Sequence, residues 1–179
     1  MSSHFRALTI LAALGLSLGA FGCGYHLVGT GSGSLPAHLK TLYVAPFVNQ
    51  TVRAELDQRL TEEISQEWVR RARFQLVSSA EEADAVVSGT IVSASTAPVR
   101  FDEQGRVTQY QLTVAADVQI VDRTVQPPST LWRDKRFART VSYEVDVSAQ
   151  DYFDREIEAM ERAARDFARG LVVTILEGF

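Results

Sequence analysis

The chain has 179 residues and a formal net charge of −4 at pH 7, with 18 basic and 22 acidic side chains. A mildly acidic chain of this length can bury a hydrophobic core, but it is a poor candidate for binding nucleic acid. Its single cysteine, Cys23, excludes an intramolecular disulfide and a zinc site built from several thiolates.

The first 22 residues have the composition of a secretory signal peptide. A short segment with one permanent positive charge, Arg6, precedes an apolar run over residues 7–21. A run of about 15 apolar residues is short for a membrane span but typical of a signal peptide. We therefore predict that residues 1–22 are removed.

Cys23 directly follows this segment, preceded by the small residues Ala20 and Gly22 that suit cleavage by lipoprotein signal peptidase. Phe21 between them is unusually bulky for such a site. Cleavage would make Cys23 a lipid-bearing N-terminus and a firm membrane anchor. The alternative is an ordinary secretory signal with an incidental cysteine. Since Gly24 rather than Asp follows, no signal retains the protein in the inner membrane, and we predict an outer-membrane lipoprotein on the periplasmic side.

The predicted mature chain begins with a flexible tether and continues as one domain. Residues 23–36 alternate glycine with serine and threonine, a composition typical of flexible linkers. The first predicted strand covers residues 41–47, with Pro46 indicating a strand end or an edge. Residues 37–179 are the predicted single α/β sandwich domain.

A helix is predicted over residues 52–71, with residues 49–51 supplying turn and capping chemistry at its start. Its apolar residues recur at four-residue spacing, which indicates one buried stripe on a solvated helix. The stripe comprises Val52, Leu56, Leu60, Ile64 and Trp68.

Strands follow at residues 74–77 and 85–101, the second with a bend near Pro98. Residues 102–105 are a polar hairpin tip in which Gly105 suits a positive φ. From residue 109 to 120, apolar side chains alternate with side chains that are polar except for Ala115, which indicates an antiparallel strand buried on one face only.

A loop is predicted at residues 122–130, then a strand at 131–147 and a final helix at about 151–176, with Gly170 as a weak point inside it. The apolar stripe of that helix comprises Ile157, Met160, Ala164, Phe167, Leu171 and Ile175. Two amphipathic helices and a sheet with one apolar face predict an α+β fold. We expect a two-layer sandwich with a mainly antiparallel sheet of four to five strands and both helices on one face.

The sequence contains no recognisable catalytic or metal-binding pattern. The mature chain has two histidines, His26 and His38, and neither lies in a predicted helix or strand. No glycine-rich phosphate loop or nucleophile elbow is present. We therefore predict a protein that is not an enzyme and has no metal or cofactor. A hydrolase with a hidden carboxylate pair is the alternative, although we expect no two acidic residues to converge in a pocket.

Basic residues concentrate on the later strands, where an anionic ligand is one explanation. On one strand, alternation places Arg133, Lys135 and Arg139 on the same side as Phe137 and Val141. Such a cationic end of an apolar face suits phosphate groups, with Trp132 nearby. The equally weighted alternative is charge that prevents edge-to-edge pairing of strands. The candidate ligand-binding residues are Arg100, Arg106, Arg133, Lys135, Arg136 and Arg139.

The beginning of the mature chain, Cys23-Gly24-Tyr25-His26-Leu27-Val28-Gly29, resembles the LptE family, the lipopolysaccharide-assembly lipoproteins of Gram-negative bacteria. The segment Tyr43-Val44-Ala45-Pro46-Phe47-Val48-Asn49 is similar to a family strand, although other envelope lipoproteins have comparable segments. The predicted order of elements also matches the family.

This resemblance implies a non-enzymatic protein that plugs the β-barrel of LptD, helps it to assemble, and binds lipopolysaccharide during export. The predicted partners are therefore an LptD-like barrel and lipopolysaccharide, without nucleic acid. An auxiliary lipoprotein of another envelope transport or cell-wall machine, which does not bind lipopolysaccharide, is the alternative.

Overall fold

The computed structural model describes residues 35–71, 74–145 and 149–177. The predicted signal peptide, Cys23 and the tether up to residue 34 lie outside the described residues. Eight elements follow one another along the described chain. They are β1 (Thr41–Val44), β2 (Val48–Asn49), α1 (Leu56–Arg70), β3 (Gln75–Leu76), β4 (Ala85–Phe101), β5 (Val107–Asp122), β6 (Ser129–Glu144) and α2 (Ala149–Glu177).

The six strands form one sheet in the order β3-β1-β4-β5-β6, and β2 also pairs with β4. Strands β4, β5 and β6 are antiparallel, whereas β1 runs parallel to β3 and β4, and β2 runs parallel to β4. The predicted two-layer α+β sandwich is confirmed, but the sheet is mixed. Its parallel part arises because α1 is a crossover connection, which returns the chain in the same direction.

The predicted first strand, residues 41–47, already ends at Val44, and a break at residues 45–47, around Pro46, separates β1 from β2. Phe47 in this break is buried, and its ring lies against Gly89 of β4. Its backbone N–H donates a hydrogen bond to Thr61 Oγ1 at 3.0 Å. The break therefore places the buried Phe47 ring against β4, next to α1.

Helix α1 begins at Leu56, four residues later than predicted, and Val52 does not belong to its apolar stripe. Val52 is 97% exposed because the preceding turn has its own hydrogen bonds. Asn49 Oδ1 accepts from the backbone N of Thr51 at 2.9 Å, and Asn49 Nδ2 donates to the carbonyl of Arg53 at 2.7 Å. These bonds favour the turn over the first turn of a helix.

The core lies between the two helices and one face of the sheet. The remaining stripe residues of α1 are at most 1% exposed, and Phe167, Leu171 and Ile175 of α2 are fully buried. Ile157, which was predicted in the α2 stripe, is 47% exposed, whereas Glu156 and Ala159 are buried, so this part of the helix turns a different face to the core than predicted. Both helices share this single core with the sheet, as predicted.

Strand β5 has two different faces. Its even-numbered residues from Leu112 to Ile120 are fully buried beneath the helices. The odd-numbered residues over the same span, which include Thr113, Asp117 and Gln119, lie on the opposite face and are mostly polar. The predicted alternation is confirmed, and it divides the sheet into a helix-covered face and an open face.

Hydrogen bonds hold the segment that precedes β1 against the start of β4. Leu35 and Leu39 are buried, and the Asp84 carboxylate accepts hydrogen bonds from the backbone N–H groups of Thr41 at 2.9 Å and Lys40 at 2.8 Å. These bonds stabilise the charged carboxylate and lower the pKa of Asp84.

A second group of hydrogen bonds lies at the end of β5, around the Asp122 carboxylate. Asp122 is 3% exposed and accepts hydrogen bonds from the hydroxyl and backbone N–H of Thr124 at 2.6 and 2.8 Å. Its other oxygen lies 3.2 Å from His38 Nε2. The bonds from Thr124, followed by the contact with His38, lower the pKa of the Asp122 carboxyl against the opposing effect of burial.

Candidate functional site

The open face of the sheet is a polar surface on β4, β5 and β6. In the described part of the chain both helices pack against the other face. Side chains on the open face bond across strands, with Thr113 and Thr140 hydroxyls 3.0 Å apart and Gln119 Nε2 donating to Ser88 Oγ at 3.3 Å. Most of its residues carry hydroxyl or amide groups. They include Ser88, Thr90, Ser93, Ser95, Gln109, Gln111, Thr113, Gln119, Thr140 and Ser142.

A β-bulge in β6 interrupts the pairing with β5. Ala116 pairs with Phe137 but Val118 pairs with Asp134, so Lys135 and Arg136 together oppose Asp117. A bulge of this kind changes the alternation of side chains along the strand. This irregularity decides which face carries each basic residue of β6.

The prediction that Arg133 and Lys135 share a face with Phe137 is wrong. Arg133 pairs with Gln119 and contacts Asp117, both of which lie on the open face. The extra residue of the bulge shifts the preceding part of β6 by one position, so Arg133 lies on the face opposite to Phe137. Trp132 pairs with Ile120 and therefore lies on the helix-covered face, away from Arg133.

Arg133 and Asp117 form a two-point ion pair on the open face. Arg133 donates from Nε to Asp117 Oδ1 at 3.0 Å and from Nη2 to Oδ2 at 2.6 Å. The hydrogen bonds and charge of Arg133 lower the pKa of Asp117, with a smaller contribution from Lys135, and Asp117 raises the pKa of Arg133. One cation at the bulge is therefore compensated by a carboxylate.

The other two cations of the bulge, Lys135 and Arg136, are exposed. Within the described ranges neither of them has an ion pair, although the backbone N–H of Arg136 donates to Asp134 Oδ1 at 2.8 Å. We call Arg133, Lys135 and Arg136 the bulge cations. Even with the carboxylates of Asp117 and Asp134 beside them, they leave this region with a local positive charge on a chain that is acidic overall.

Arg139 lies on the helix-covered side and is separate from the bulge cations. Its guanidinium carbon is 4.3 Å from the centre of the Phe137 ring, a cation–π contact. The guanidinium also lies against Gly170 of α2, where a Cβ would come within 2.7 Å of Arg139 Cζ. The glycine predicted as a weak point in the helix therefore accommodates this arginine.

Arg100 and Arg106 lie at the hairpin end, far from the bulge. Arg106 pairs with Asp102 at 2.7 Å across the tip, and Arg100 is 3.8 Å from Glu144. Arg100 aligns with residue 109 of β5 and Arg133 with residue 119, which are ten residues or roughly 33 Å apart along the strand. The structure therefore separates the six predicted basic residues into three groups.

Acidic residues do converge in one groove, contrary to expectation. A groove of about 250 Å³ between α1 and α2 is lined by Glu62, Glu63 and Glu161 together with Arg59 and Arg165. Arg59 pairs with Glu161 at 3.2 Å, which accounts for part of this charge. Among the described residues, no group of three or more histidine, cysteine or acidic side chains could hold a metal ion.

Sequence reasoning identified the bulge cations but omitted the surface that surrounds them. The alternation in β5 already marked Thr113, Asp117 and Gln119 as solvated. Their significance depends on the neighbouring strands, because Asp117 opposes the bulge and Thr113 contacts Thr140. The bulge itself has no distinctive residue pattern, so the face of Arg133 was assigned incorrectly.

A protein-family model matches most of the chain. Residues 39–175 match the family model described as LptE, lipopolysaccharide-assembly. No curated protein sequence matches the chain. Among the described helices, none combines the length and the apolar character needed to cross a membrane.

Solved structures share the fold at low sequence identity. A hypothetical protein of Chlamydia trachomatis is 16% identical, with a TM-score of 0.52 over 76% of this chain and 96% of that chain. The uncharacterized lipoprotein B of Nitrosomonas europaea is 17% identical, with a TM-score of 0.51 over 86% of this chain and 90% of that chain. These likenesses concern the fold alone.

Proposed function

Because the chain belongs to the LptE family of lipopolysaccharide-assembly proteins, we propose that it binds lipopolysaccharide while seated in an LptD-type barrel of the outer membrane. In this proposal the protein is not an enzyme, and a lipid on Cys23 anchors it on the periplasmic side. The observation that carries the ligand assignment is the group of bulge cations on an exposed, polar face.

The chemistry of these cations suits phosphate. Arginine offers a planar fork and lysine a compact charge, and both bind phosphate oxygens through charge-assisted hydrogen bonds. Asp117 compensates only Arg133 directly, so Lys135 and Arg136 supply the available charge. Since the chain as a whole is acidic, contact with a phosphorylated lipid is local to this group.

Binding of purified lipopolysaccharide to the mature protein tests the ligand assignment. The variant Lys135→Ala/Arg136→Ala removes two charges that have no ion pair in the described structure. If each contact with phosphate contributes about 1.5–3 kcal/mol, affinity should fall by more than about tenfold. Truncation of these two side chains to alanine should leave the fold intact because both are exposed.

Arg100→Ala/Arg106→Ala is the matched control, since it removes the same charge at the distant hairpin end. Affinity should change little in this variant. Equal losses in both variants would indicate that net charge alone governs binding. Unchanged affinity in the Lys135→Ala/Arg136→Ala variant would reject the bulge as the ligand site.

Isolation of the tagged protein from its native envelope in mild detergent tests the barrel partner. We expect stoichiometric recovery of one large outer-membrane β-barrel, identified by mass spectrometry. Recovery with cell-wall synthases or inner-membrane transporters would instead favour an auxiliary lipoprotein of another envelope machine. A Cys23→Ala variant should lose the lipid mass and leave the membrane fraction, which tests the anchor separately.

A further inference from the structure

The bulge cations and the apolar face of the sheet lie on opposite sides of β6. Phe137 and Trp132 are on the helix-covered side, where they contact each other and Phe137 packs on Phe167. Arg133 is on the open side. A ligand phosphate at the bulge therefore has no apolar core surface next to it.

The surface that does adjoin the bulge is small or polar. Going from the bulge towards the hairpin, the open face of β5 and β6 presents Ala138, Thr113, Thr140, Gln111 and Ser142. We call these residues the polar strip. Acyl chains gain binding free energy in proportion to the methylene groups that they bury, and the polar strip offers them little apolar surface.

Apolar side chains of the open face lie outside the polar strip. Val86 and Val121 pair with each other beyond Ser88 and Gln119, and both are only partly exposed. Val48 of β2 is 57% exposed and Val92 of β4 is 38% exposed. Val48 pairs with Thr90, which in turn pairs with Asp117, so β4 and β5 both lie between Val48 and the bulge in β6. Partly exposed valines at separate places on the face do not form a contiguous site for the several acyl chains of one lipid.

Hydroxyl and amide groups match a saccharide. A sugar hydroxyl both donates and accepts hydrogen bonds, and so do threonine and serine hydroxyls, while glutamine offers two donors and an acceptor. The distance from residue 117 to residue 111 of β5 is about 20 Å, which is long enough for a chain of sugar units. The polar strip carries no charge until the pair of Arg100 and Glu144 near the hairpin.

Charge complementarity fixes the direction of the ligand. The three bulge cations have two carboxylates beside them, Asp117 on the open face and Asp134 within the bulge, which leaves a net positive charge there, whereas the polar strip is neutral. From this distribution we infer that the open face binds the phosphorylated saccharide of lipopolysaccharide, with phosphates at the bulge cations and neutral sugar along the polar strip. The acyl chains stay off this face. This inference rests on the proposed binding of lipopolysaccharide and specifies which part of it is recognised.

Binding to three ligands tests the inference. They are intact lipopolysaccharide, the fully deacylated phosphorylated oligosaccharide prepared from it, and the same oligosaccharide after removal of phosphate. We expect the deacylated oligosaccharide to bind the mature protein within about tenfold of the intact ligand. Removal of phosphate should weaken binding by more than tenfold, since it removes the charge-assisted contacts.

The outcomes separate this inference from the proposed function. If intact lipopolysaccharide binds and the deacylated oligosaccharide does not, the acyl chains carry recognition and the inference is wrong, while the proposed function stands. If neither ligand binds, the proposed function fails as well. Competition by inorganic phosphate at the same concentration as the oligosaccharide would show that sugar is not recognised, which also overturns the inference.

A variant of the polar strip locates the saccharide. Thr113→Val/Thr140→Val keeps the side-chain shape and the preference for strands but removes both hydroxyls. Affinity for the deacylated oligosaccharide should fall several-fold, with unchanged urea unfolding as the control for folding. Unchanged affinity would place the sugar elsewhere and contradict the inference.

A photo-crosslinking residue at Ser142 tests the alternative occupant in cells. Ser142 is exposed on the open face at the hairpin end of the polar strip. Crosslinks to lipopolysaccharide support the inference. Crosslinks only to the wall of the barrel protein would mean that protein covers this face, and the inference would be wrong.

Discussion

The two faces of β5 differ although they belong to the same strand. On one face Val114, Ala116 and Val118 are fully buried under the helices. On the other face Thr113, Asp117 and Gln119 bond to side chains of β4 and β6. Apolar burial is concentrated on the first face and the proposed ligand contacts on the second, so we expect each face to tolerate substitutions with little effect on the other.

Strand β6 also has a helix-covered face and an open face, but its alternation of side chains shifts by one residue at the bulge. Residues after the bulge follow the alternation of β5 with Phe137 inside, and residues before it are displaced by one step. Both strands therefore have one helix-covered face and one open face. On β6 the helix-covered face carries odd-numbered residues after the bulge and even-numbered residues before it.

The largest effect is expected from truncation on the helix-covered face. Phe167 is fully buried, and its ring centre lies 5.0 Å from that of Phe137. Phe167→Ala should lower the free energy of unfolding by about 3–5 kcal/mol. Thr140→Ala on the open face should change it by less than about 0.5 kcal/mol. Urea denaturation measures both, and similar losses would contradict the division between the faces.

A smaller effect is expected from overpacking beneath the break between β1 and β2. Gly89→Ala would place a Cβ 2.7 Å from Phe47 Cζ, and the buried ring has little room to move. Such overpacking costs about 1–3 kcal/mol. The same substitution in a Phe47→Leu background should cost less, because the rigid ring is absent. An equal cost in both backgrounds would assign the loss to the strand backbone.

Gly170 of α2 allows a test of the contact between α2 and β6 on the helix-covered face. Alanine in place of glycine inside a helix gains about 1 kcal/mol, but here it would displace Arg139 from the Phe137 ring, a contact of about 0.5–1 kcal/mol. Gly170→Ala alone should therefore be nearly neutral in urea denaturation. In an Arg139→Ala background it should stabilise the protein, and additive effects of the two substitutions would show that the residues are not coupled.

The smallest effect on the free energy of unfolding is expected from a change of pH near neutrality. It depends on two carboxylates, Asp84 at the start of β4 and Asp122 at the end of β5. The pKa values of Asp84 and Asp122 are lowered in the folded protein by hydrogen bonds to the charged carboxylates. Their stabilisation is therefore present above the pKa of an unfolded aspartate, about 3.9, and is lost as pH falls through the folded values. The free energy of unfolding should be flat from pH 7 to 5 and decline below about pH 4.

An Asp84→Asn variant tests this assignment by urea denaturation at several pH values. It should be less stable than the unchanged protein at pH 7, and the difference should narrow in acid. Asp166→Asn, at an exposed position of α2, is the control and should keep the full acid dependence. A steep acid decline that persists in Asp84→Asn and in the corresponding Asp122→Asn variant would place its origin at other carboxylates.

Much of the fold was predictable because the strong patterns are local. The alternation in β5 and the four-residue spacing from Leu56 to Trp68 each report burial of one face, and both were interpreted correctly. Val52 continued the same spacing, but the hydrogen bonds of Asn49 hold it in a turn. The four-residue spacing alone does not distinguish a helical position from a position in a turn, since the hydrogen bonds of Asn49 that favour the turn depend on the backbone geometry.

The candidate site was predictable only in part. The density of basic residues on β6 was visible in the sequence, and so was the polar face of β5. Their combination depends on cross-strand pairing at Asp117, which is a relation between residues 16 or more positions apart. A bulge arises from that pairing rather than from residue preference, so the face of Arg133 required the structure.

The bulge at Lys135 and Arg136 also has a consequence for evolutionary change. Insertion or deletion of one residue at this point would exchange the faces of Arg133 and Trp132 while leaving Phe137 in place. A single codon gained or lost could therefore create or remove a charged surface without a substitution. Alignments of relatives should permit a one-residue gap here, because ungapped columns before the bulge can equate side chains from opposite faces.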